Sequence, residues 1–314
     1  MKKIGLSELI FPVTAKEFFE SYWPHKPLFI SGSSEKANEK RLPILDIPEL
    51  HSLESLIAAR TLKVRACLPD FDDEYSSITL ESKDAIKAYR NQMTLVFDSM
   101  HLQNKLIAEC LENIRQDLGL LTGGIDNDLC RARSMAYATP AGCGTRMHFD
   151  ANANFILQIH GSKRWTLAPN RSVVNPTERF TTGADQMSLA LESQFHAELP
   201  NEMPHESTDY SMQPGCLLYV PRGYWHSTDA QDDSLSLNFT FSEPTWADVF
   251  TKSLQEHLLK SAQWRGLADG LGGKDEARLK KGVQKFKSLF KNLQRELLEL
   301  PAEELLKLII SELE

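Results

Sequence analysis

The five cysteines of this 314-residue chain (67, 110, 130, 143 and 216) are odd in number, and none stands in a CxxC pair. That pattern excludes a disulfide framework or a zinc knuckle as the organising device and favours a reducing compartment. No window approaches the roughly 20 apolar residues that a membrane span needs. The opening Met1-Lys2-Lys3-Ile4-Gly5 soon meets Ser7 and Glu8, without the apolar core of a signal peptide. The expectation is a soluble cytoplasmic protein. A basic surplus is also lacking: 35 Lys and Arg against 43 Asp and Glu leave a net charge of -8. Such a surface has no general attraction for nucleic acid or anionic lipid. Internal repeats, low-complexity linkers, a P-loop, a Rossmann glycine fingerprint and a serine nucleophile elbow are all missing. What remains is an ordinary globular composition, 41% hydrophobic and 25% charged, with enough chain to bury a substantial core.

The texture divides the chain into three. Residues 1–130 read as a mixed, mainly helical region that packs on the core. A short amphipathic helix is expected over 15–23, ended by Pro24, then a first strand over 27–30. Leu102, Leu106, Ile107, Cys110, Leu111, Ile114 and Leu118 recur at helical spacing and form one apolar stripe. Over 131–244 short β-rich runs (133–138, 154–159, 164–167, 216–220 and 234–241) alternate with Gly, Pro, Asn and Asp clusters. That pattern predicts a mainly β core, an antiparallel barrel or double-sheet jelly roll. His160-Gly161-Ser162 reads as a tight hairpin turn, and 195–209 as a long polar surface loop. Residues 245–314 turn helical again. Seven basic residues and no acidic ones lie between Arg278 and Arg295, after which Glu296, Glu299, Glu303 and Glu304 reverse the sign. Two amphipathic helices of opposite charge fit a helical hairpin or a homodimer contact.

The chemistry gathers at Gly144-Thr145-Arg146-Met147-His148-Phe149-Asp150 and at Trp225-His226. On a strand, residues i and i+2 point the same way, so His148 and Asp150 project together. With His226 from a distant strand they form two imidazoles and one carboxylate on one face of an octahedron, which leaves three positions open. HxD alone is a weak signal; its context strengthens it. Asn154, six residues past His148, shares the inward face if the strand continues unbroken, and Lys163, at the start of the next strand, offers a cation for the far carboxylate of an oxo diacid. Thr145 supplies a hydroxyl for the same group. Asn238 breaks an otherwise apolar run, although alternation also allows it to face solvent.

Thr145-x2-His148-x-Asp150-x3-Asn154-x3-Gln158-x2-Gly161-x-Lys163-Arg164-Trp165, followed by Pro214-Gly215, Val220-Pro221, Trp225-His226 and Asn238, resembles the JmjC class of Fe(II)/2-oxoglutarate oxygenases. The resemblance is strong over about residues 131–242 and closest to the cupin-like hydroxylase branch. That branch includes the asparaginyl hydroxylase of hypoxia-inducible factor and is related to the ribosomal oxygenases. A weaker echo lies at Tyr22-Trp23-x2-Lys26-Pro27-Leu28. The resemblance implies a double-stranded β-helix core with helical N-terminal and C-terminal additions. It implies Fe(II) on His148, Asp150 and His226, and 2-oxoglutarate on Lys163 and Thr145, with Asn154, Asn238 and Tyr137 lining the pocket. The implied reaction consumes dioxygen and 2-oxoglutarate, releases succinate and carbon dioxide, and hydroxylates a substrate C–H bond. A protein side chain is the preferred substrate, with a small molecule or a tRNA-linked group as rivals. A non-catalytic metal-binding cupin is the competing class, and Lys163 argues against it. C-terminal helices of relatives often support a homodimer.

Other residues read as structural first. His160 sits in the turn, His196 and His205 in the polar loop, and Arg222 caps a turn or touches substrate. The acidic run at 70–74 reads as a surface loop before it reads as a receptor for a basic peptide.

Overall fold

The computed structural model describes residues 4–59, 63–67, 77–120, 131–183, 187–272 and 274–310. The acidic run at 70–74 lies outside them. The chain divides into two compact units, residues 1–120 with 132–242, and 121–131 with 243–314.

The first unit opens with α1 (Leu6–Leu9), α2 (Ala15–Ser21), β1 (Leu28–Ile30), α3 (Glu35–Leu45) and α4 (Leu53–Ala58). There follow β2 (Val64–Cys67), β3 (Ser77–Leu80), α5 (Ser82–Arg90), β4 (Thr94–Phe97) and α6 (Lys105–Asp117). Polar caps start these helices: Thr14, Ser34, Ser52 and Asn104 each accept backbone N–H groups of the first turn. Helix α6 carries most of the anticipated stripe, with Ile107, Cys110, Leu111 and Ile114 buried; Leu102 falls short of it, in the turn before the helix, and is exposed. The β-rich part supplies β5 (Arg131–Thr139), β6 (Gly144–Phe149), β7 (Ala153–His160), β8 (Lys163–Ala168) and β9 (Phe180–Thr181). Next come α7 (Leu189–Glu192), β10 (Thr208–Met212), β11 (Leu217–Val220), β12 (Trp225–Ala230) and β13 (Ser234–Ser242).

These strands form two sheets, in the orders β1-β11-β7-β13-β5-β4-β2-β3 and β10-β8-β12-β6-β9. The N-terminal region therefore adds more than helices: it lends β1 to β4 to the larger sheet. The 160–162 turn differs from the expected hairpin. It carries the chain from β7 in one sheet to β8 in the other, so the two strands are not neighbours. Gly161 makes this crossing at φ +63, where a Cβ would stand 2.0 Å from the carbonyl oxygen of Asp233. Its turn chemistry serves a sheet crossing as well as a hairpin.

Almost every residue of β7 and β13 is buried, so the two faces differ in chemistry, not in exposure. Phe155, Leu157 and Ile159 of β7 and Leu235, Leu237, Phe239 and Phe241 of β13 join Leu6, Leu9, Phe18 and Ile44 in the main core. Phe18 lies 5.2 Å from Tyr219 and 5.9 Å from Phe155, ring centre to ring centre. The opposite face turns toward the second sheet. There Ile156 packs with Trp165, Leu167, Met212, Leu218 and Val220, beside Asn154, Ser236, Asn238 and Thr240. Arg41, fully buried, ties the N-terminal cover to the turn before β11. It donates to the carbonyls of Leu9 (2.8 Å), Phe11 (2.9 Å) and Gly215 (2.6 Å), and burial lowers its pKa to about 10.

The second unit holds α8 (Trp246–Leu259), α9 (Glu276–Glu299) and α10 (Ala302–Leu306). Thr245 and Asp248 cap α8 reciprocally. The charge reversal does not separate two helices as anticipated. With no breaker before Pro301, α9 runs through the basic stretch as far as Glu299. Leu279, Val283, Phe286, Phe290, Leu293 and Leu297 alternate four-residue and three-residue steps along it, and all but Leu293 remain 36–54% exposed. Among the described residues, no helix is long and apolar enough to cross a membrane.

Candidate metal and oxo-acid site

The ladder of the smaller sheet builds the site. On β6 and β12, His148 and His226 stand directly opposite each other, their ring centres 4.0 Å apart. Each ring is oriented in the same way by the main chain two residues back. Nδ1 of His148 lies 2.7 Å from the Arg146 carbonyl, and Nδ1 of His226 lies 2.9 Å from that of Tyr224. With Nδ1–H donated there, each Nε2 keeps its lone pair for a metal. Asp150 follows β6 directly, and its Oδ2 lies 3.6 Å from Nε2 of His226. One potential ligand atom from each of the three residues lies within 4.8 Å of the others. Burial, reinforced by His226 and by the Arg179 guanidinium, holds the pKa of His148 well below its ordinary value. His148 is therefore neutral at pH 7 and needs to shed no proton to bind a cation. Two imidazoles and a carboxylate on one side are a donor set that fits Fe(II).

A cavity of about 1120 Å³ opens from this triad, and all of its lining residues belong to the first unit. Lys163 lies deep in it, 4% exposed. Its Nζ donates to the hydroxyl of Thr139 at 3.0 Å. Among the described residues no carboxylate pairs with it, and burial lowers its pKa from 10.5 to about 8. A buried ammonium held only by a neutral hydroxyl is costly, and it suits an anionic ligand. On β12, His226 faces Leu167 and Ala230 faces Lys163, which sets the lysine four residues along the strand from the triad. The cavity thus has a metal-binding end and an anion-binding end.

The remaining candidates fall between these ends. Thr145 shares a hydroxyl–hydroxyl hydrogen bond of 3.0 Å with Thr228. Asn154 accepts from Thr240 Oγ1 at 2.7 Å and sends its Nδ2 toward Asp150 Oδ2 at 3.4 Å. Asn238 does not face solvent; it is 7% exposed, between Ser236 and Thr240 on the cavity face of β13. Tyr137 lines the cavity and directs its hydroxyl to Met135 Sδ at 3.7 Å. Thr139 and Thr228 were not singled out on sequence grounds, and Trp165, stacked on His226 with ring centres 5.7 Å apart, entered there as part of the motif without a role in the site. Parity could have found the two threonines, since Thr228 is two residues past His226 and Thr139 two past Tyr137. His160 is structural: its Nε2 lies 2.9 Å from the Leu50 carbonyl. Arg222 donates to the carbonyls of Pro176 and Asn175, at 2.8 and 3.2 Å, and so holds the loop before β9.

Residues 121–249 match the JmjC domain. The uncharacterized protein YxbC of Bacillus subtilis (strain 168) is 31% identical over 268 residues, covering 84% of this chain and 78% of the relative. The chain belongs to the JmjC family of Fe(II)/2-oxoglutarate oxygenases. Within this JmjC family, ribosomal oxygenase 2 of Rattus norvegicus is 26% identical over 258 residues, covering 78% of this chain and 49% of the relative. The chain thus spans about half the length of that relative. The solved structure of the Escherichia coli ribosomal oxygenase YcfD in complex with cobalt and succinic acid shares the fold. It aligns with a TM-score of 0.53 at 15% identity, over 95% of this JmjC chain and 69% of YcfD.

Proposed function

We propose that this JmjC oxygenase hydroxylates a C–H bond of a protein side chain. One observation carries the reading: the His148–Asp150–His226 triad and the buried Lys163 cation share one cavity. His148, Asp150 and His226 hold Fe(II). Lys163 and Thr145 hold the far carboxylate of 2-oxoglutarate, and Asn154, Asn238 and Tyr137 line the space between. Bound Fe(II) and 2-oxoglutarate supply the oxidising power, splitting the oxo acid to succinate and carbon dioxide and placing one oxygen atom of dioxygen on the substrate carbon.

The chain's own work is positional. The Arg146 and Tyr224 carbonyls aim the two imidazoles, while Asn154, steadied by Thr240, steers the carboxylate. Trp165 covers His226 from the side and excludes water from it. At neutral pH the buried lysine stays protonated and gives the diacid one orientation. Relatives named as ribosomal oxygenases in rat and Escherichia coli support a ribosomal protein as the substrate class.

The exposed heptad face of α9 supports a homodimer in which two such faces meet. Replacing Phe286 and Phe290 by Asp then yields a monomer in sedimentation; an unchanged mass refutes the pairing. The function is tested by adding Fe(II) and then 2-oxoglutarate without oxygen, and reading the visible metal-to-ligand charge-transfer band. Purified ribosomal proteins are next supplied with oxygen and weighed for an added oxygen atom. A band with no mass gain on any of them moves the substrate to a small molecule or a tRNA-linked group. No band at all sinks the oxygenase reading.

A further inference from the structure

Strand β9 is two residues long, yet its register sets one contact beside the proposed iron ligands. Thr181 lies opposite His148 and Phe180 opposite Phe149. One step further along the same ladder brings Arg179 across from Asp150. The side chains meet there: Arg179 Nη1 is 3.7 Å from Asp150 Oδ1, with the two side chains only 13% and 17% exposed. The other carboxylate oxygen has different neighbours, His226 Nε2 at 3.6 Å and Asn154 Nδ2 at 3.4 Å. Both partners stand on anchored backbone. Arg222 grips the carbonyls of Asn175 and Pro176, and Thr182 N–H donates to Met147 at 2.9 Å. The carbonyl of Asp150 accepts from Gly223 N–H at 2.8 Å.

We propose that Arg179 is a positioning residue that keeps Asp150 a one-oxygen ligand. The inference rests on the iron site proposed above. A carboxylate beside a divalent cation can bind through one oxygen or two, and the second mode takes a further coordination position. The facial set is useful because three positions stay open, two for the oxo acid and one for dioxygen. A guanidinium held 3.7 Å from Oδ1 attracts that oxygen electrostatically and leaves Oδ2 as the donor. The register of β9 thereby guards the site's capacity for its co-substrate, not its affinity for metal.

The test separates those two quantities in the full-length protein, with Co(II) as the spectroscopic probe. Wild type, Arg179→Gln and Arg179→Lys are titrated with Co(II) and then with 2-oxoglutarate, and their melting temperatures are recorded. Arg179→Gln is expected to bind Co(II) at least as tightly as wild type, because a nearby positive charge has gone. Its Co(II)-loaded form is expected to bind 2-oxoglutarate about tenfold more weakly, with an altered visible Co(II) spectrum before the oxo acid is added. Arg179→Lys retains a cation and most of the wild-type affinity. Unchanged 2-oxoglutarate affinity in Arg179→Gln overturns the proposal, as does loss of Co(II) and 2-oxoglutarate binding together at an unchanged melting temperature. If Arg179→Gln folds poorly, Arg179→Lys decides: near-wild-type oxo-acid affinity supports the proposal, and a loss overturns it. A wild-type protein that binds no Co(II) fails the iron-site reading instead.

Discussion

Lys163→Met separates what a buried cation does for the ligand from what it does to the fold. Lys163 is 4% exposed and bonded to Thr139 alone among the described residues. Its pKa drop from 10.5 to about 8 corresponds to about 3 kcal/mol spent on keeping the charge buried. Methionine fills a similar volume without charge. Its gain is offset by the lost hydrogen bond to Thr139, about 1 kcal/mol, so the variant should be about 2 kcal/mol more stable at pH 7. At roughly 2–4 °C per kcal/mol, scanning calorimetry should find it melting several degrees higher. 2-Oxoglutarate affinity moves the other way. Losing a hydrogen bond to a charged group costs about 1.5–3 kcal/mol, or roughly 10–150-fold in Kd, readable by calorimetric titration of the Fe(II)-loaded protein without oxygen. The pH dependence carries a sign of its own. Below about 8 the lysine is charged in both native and unfolded wild type, and the native penalty is fully present. Between about 8 and 10.5 the native lysine loses its proton while the unfolded one keeps it. Wild-type stability therefore gains on the variant as pH rises through that window, and the difference in melting temperature closes. Over the same window wild-type affinity for 2-oxoglutarate falls while that of the variant stays flat. A Lys163→Met protein that melts lower than wild type and binds 2-oxoglutarate equally well would refute the reasoning.

His148→Ala removes one of three donors and is expected to weaken Co(II) binding by about 100-fold or more, followed through quenching of Trp165, which stacks on His226; equal quenching in both proteins would contradict the assignment. Arg41→Met strands the carbonyls of Leu9, Phe11 and Gly215, so urea unfolding should show a loss of about 3 kcal/mol or more, against almost none if these bonds are incidental. Gly161→Ala forces a Cβ to within 2.0 Å of the Asp233 oxygen at φ +63, two residues before Lys163. It should lower the melting temperature and weaken 2-oxoglutarate binding together, and a variant that does neither would show the crossing to be pliable.

Parity made part of the site legible. His148 and Asp150, two apart, reach one cavity as strand alternation requires. Asn154 and Lys163 reach it too, but not along one unbroken strand: β6 ends at Phe149 in the smaller sheet, β7 begins at Ala153 in the larger, and β8 returns to the smaller. Asn238 was ambiguous because alternation says which residues share a face but not whether that face meets solvent. Ser236 and Thr240, its neighbours in parity, are polar too and equally buried, and only the second sheet opposite explains why. The 160–162 turn was misjudged because local chemistry specifies a tight reversal, while the choice between pairing in one sheet and crossing to another is made by the whole barrel. Strands β2 to β4 have four residues each, too few for a period to emerge. Arg179 had no signal at all. Its place depends on a two-residue strand in a polar segment, and its function depends on which residue lies across the ladder.

The larger sheet shows how one strand serves fold and chemistry at once. Along β13 the odd residues Leu235, Leu237, Phe239 and Phe241 enter the main core with the N-terminal helices. The even residues Ser236, Asn238 and Thr240 face the cavity. Burying that polar row brings little hydrophobic gain, and the lysine beside it works against folding. Burial on the other face offsets the deficit, at about 1.5–3 kcal/mol for each large apolar side chain. Residues before 120, among them Leu6, Leu9, Phe18 and Ile44, pack on that face, held in place by Arg41 and by the Phe18–Phe155–Tyr219 rings. The N-terminal elements serve the site in two ways: their burial allows the inner face of the sheet to stay polar, which a cavity for a charged co-substrate requires, and Arg65, Cys67, Gln92, Thr94 and Asp98, on or beside β2 and β4, line that cavity.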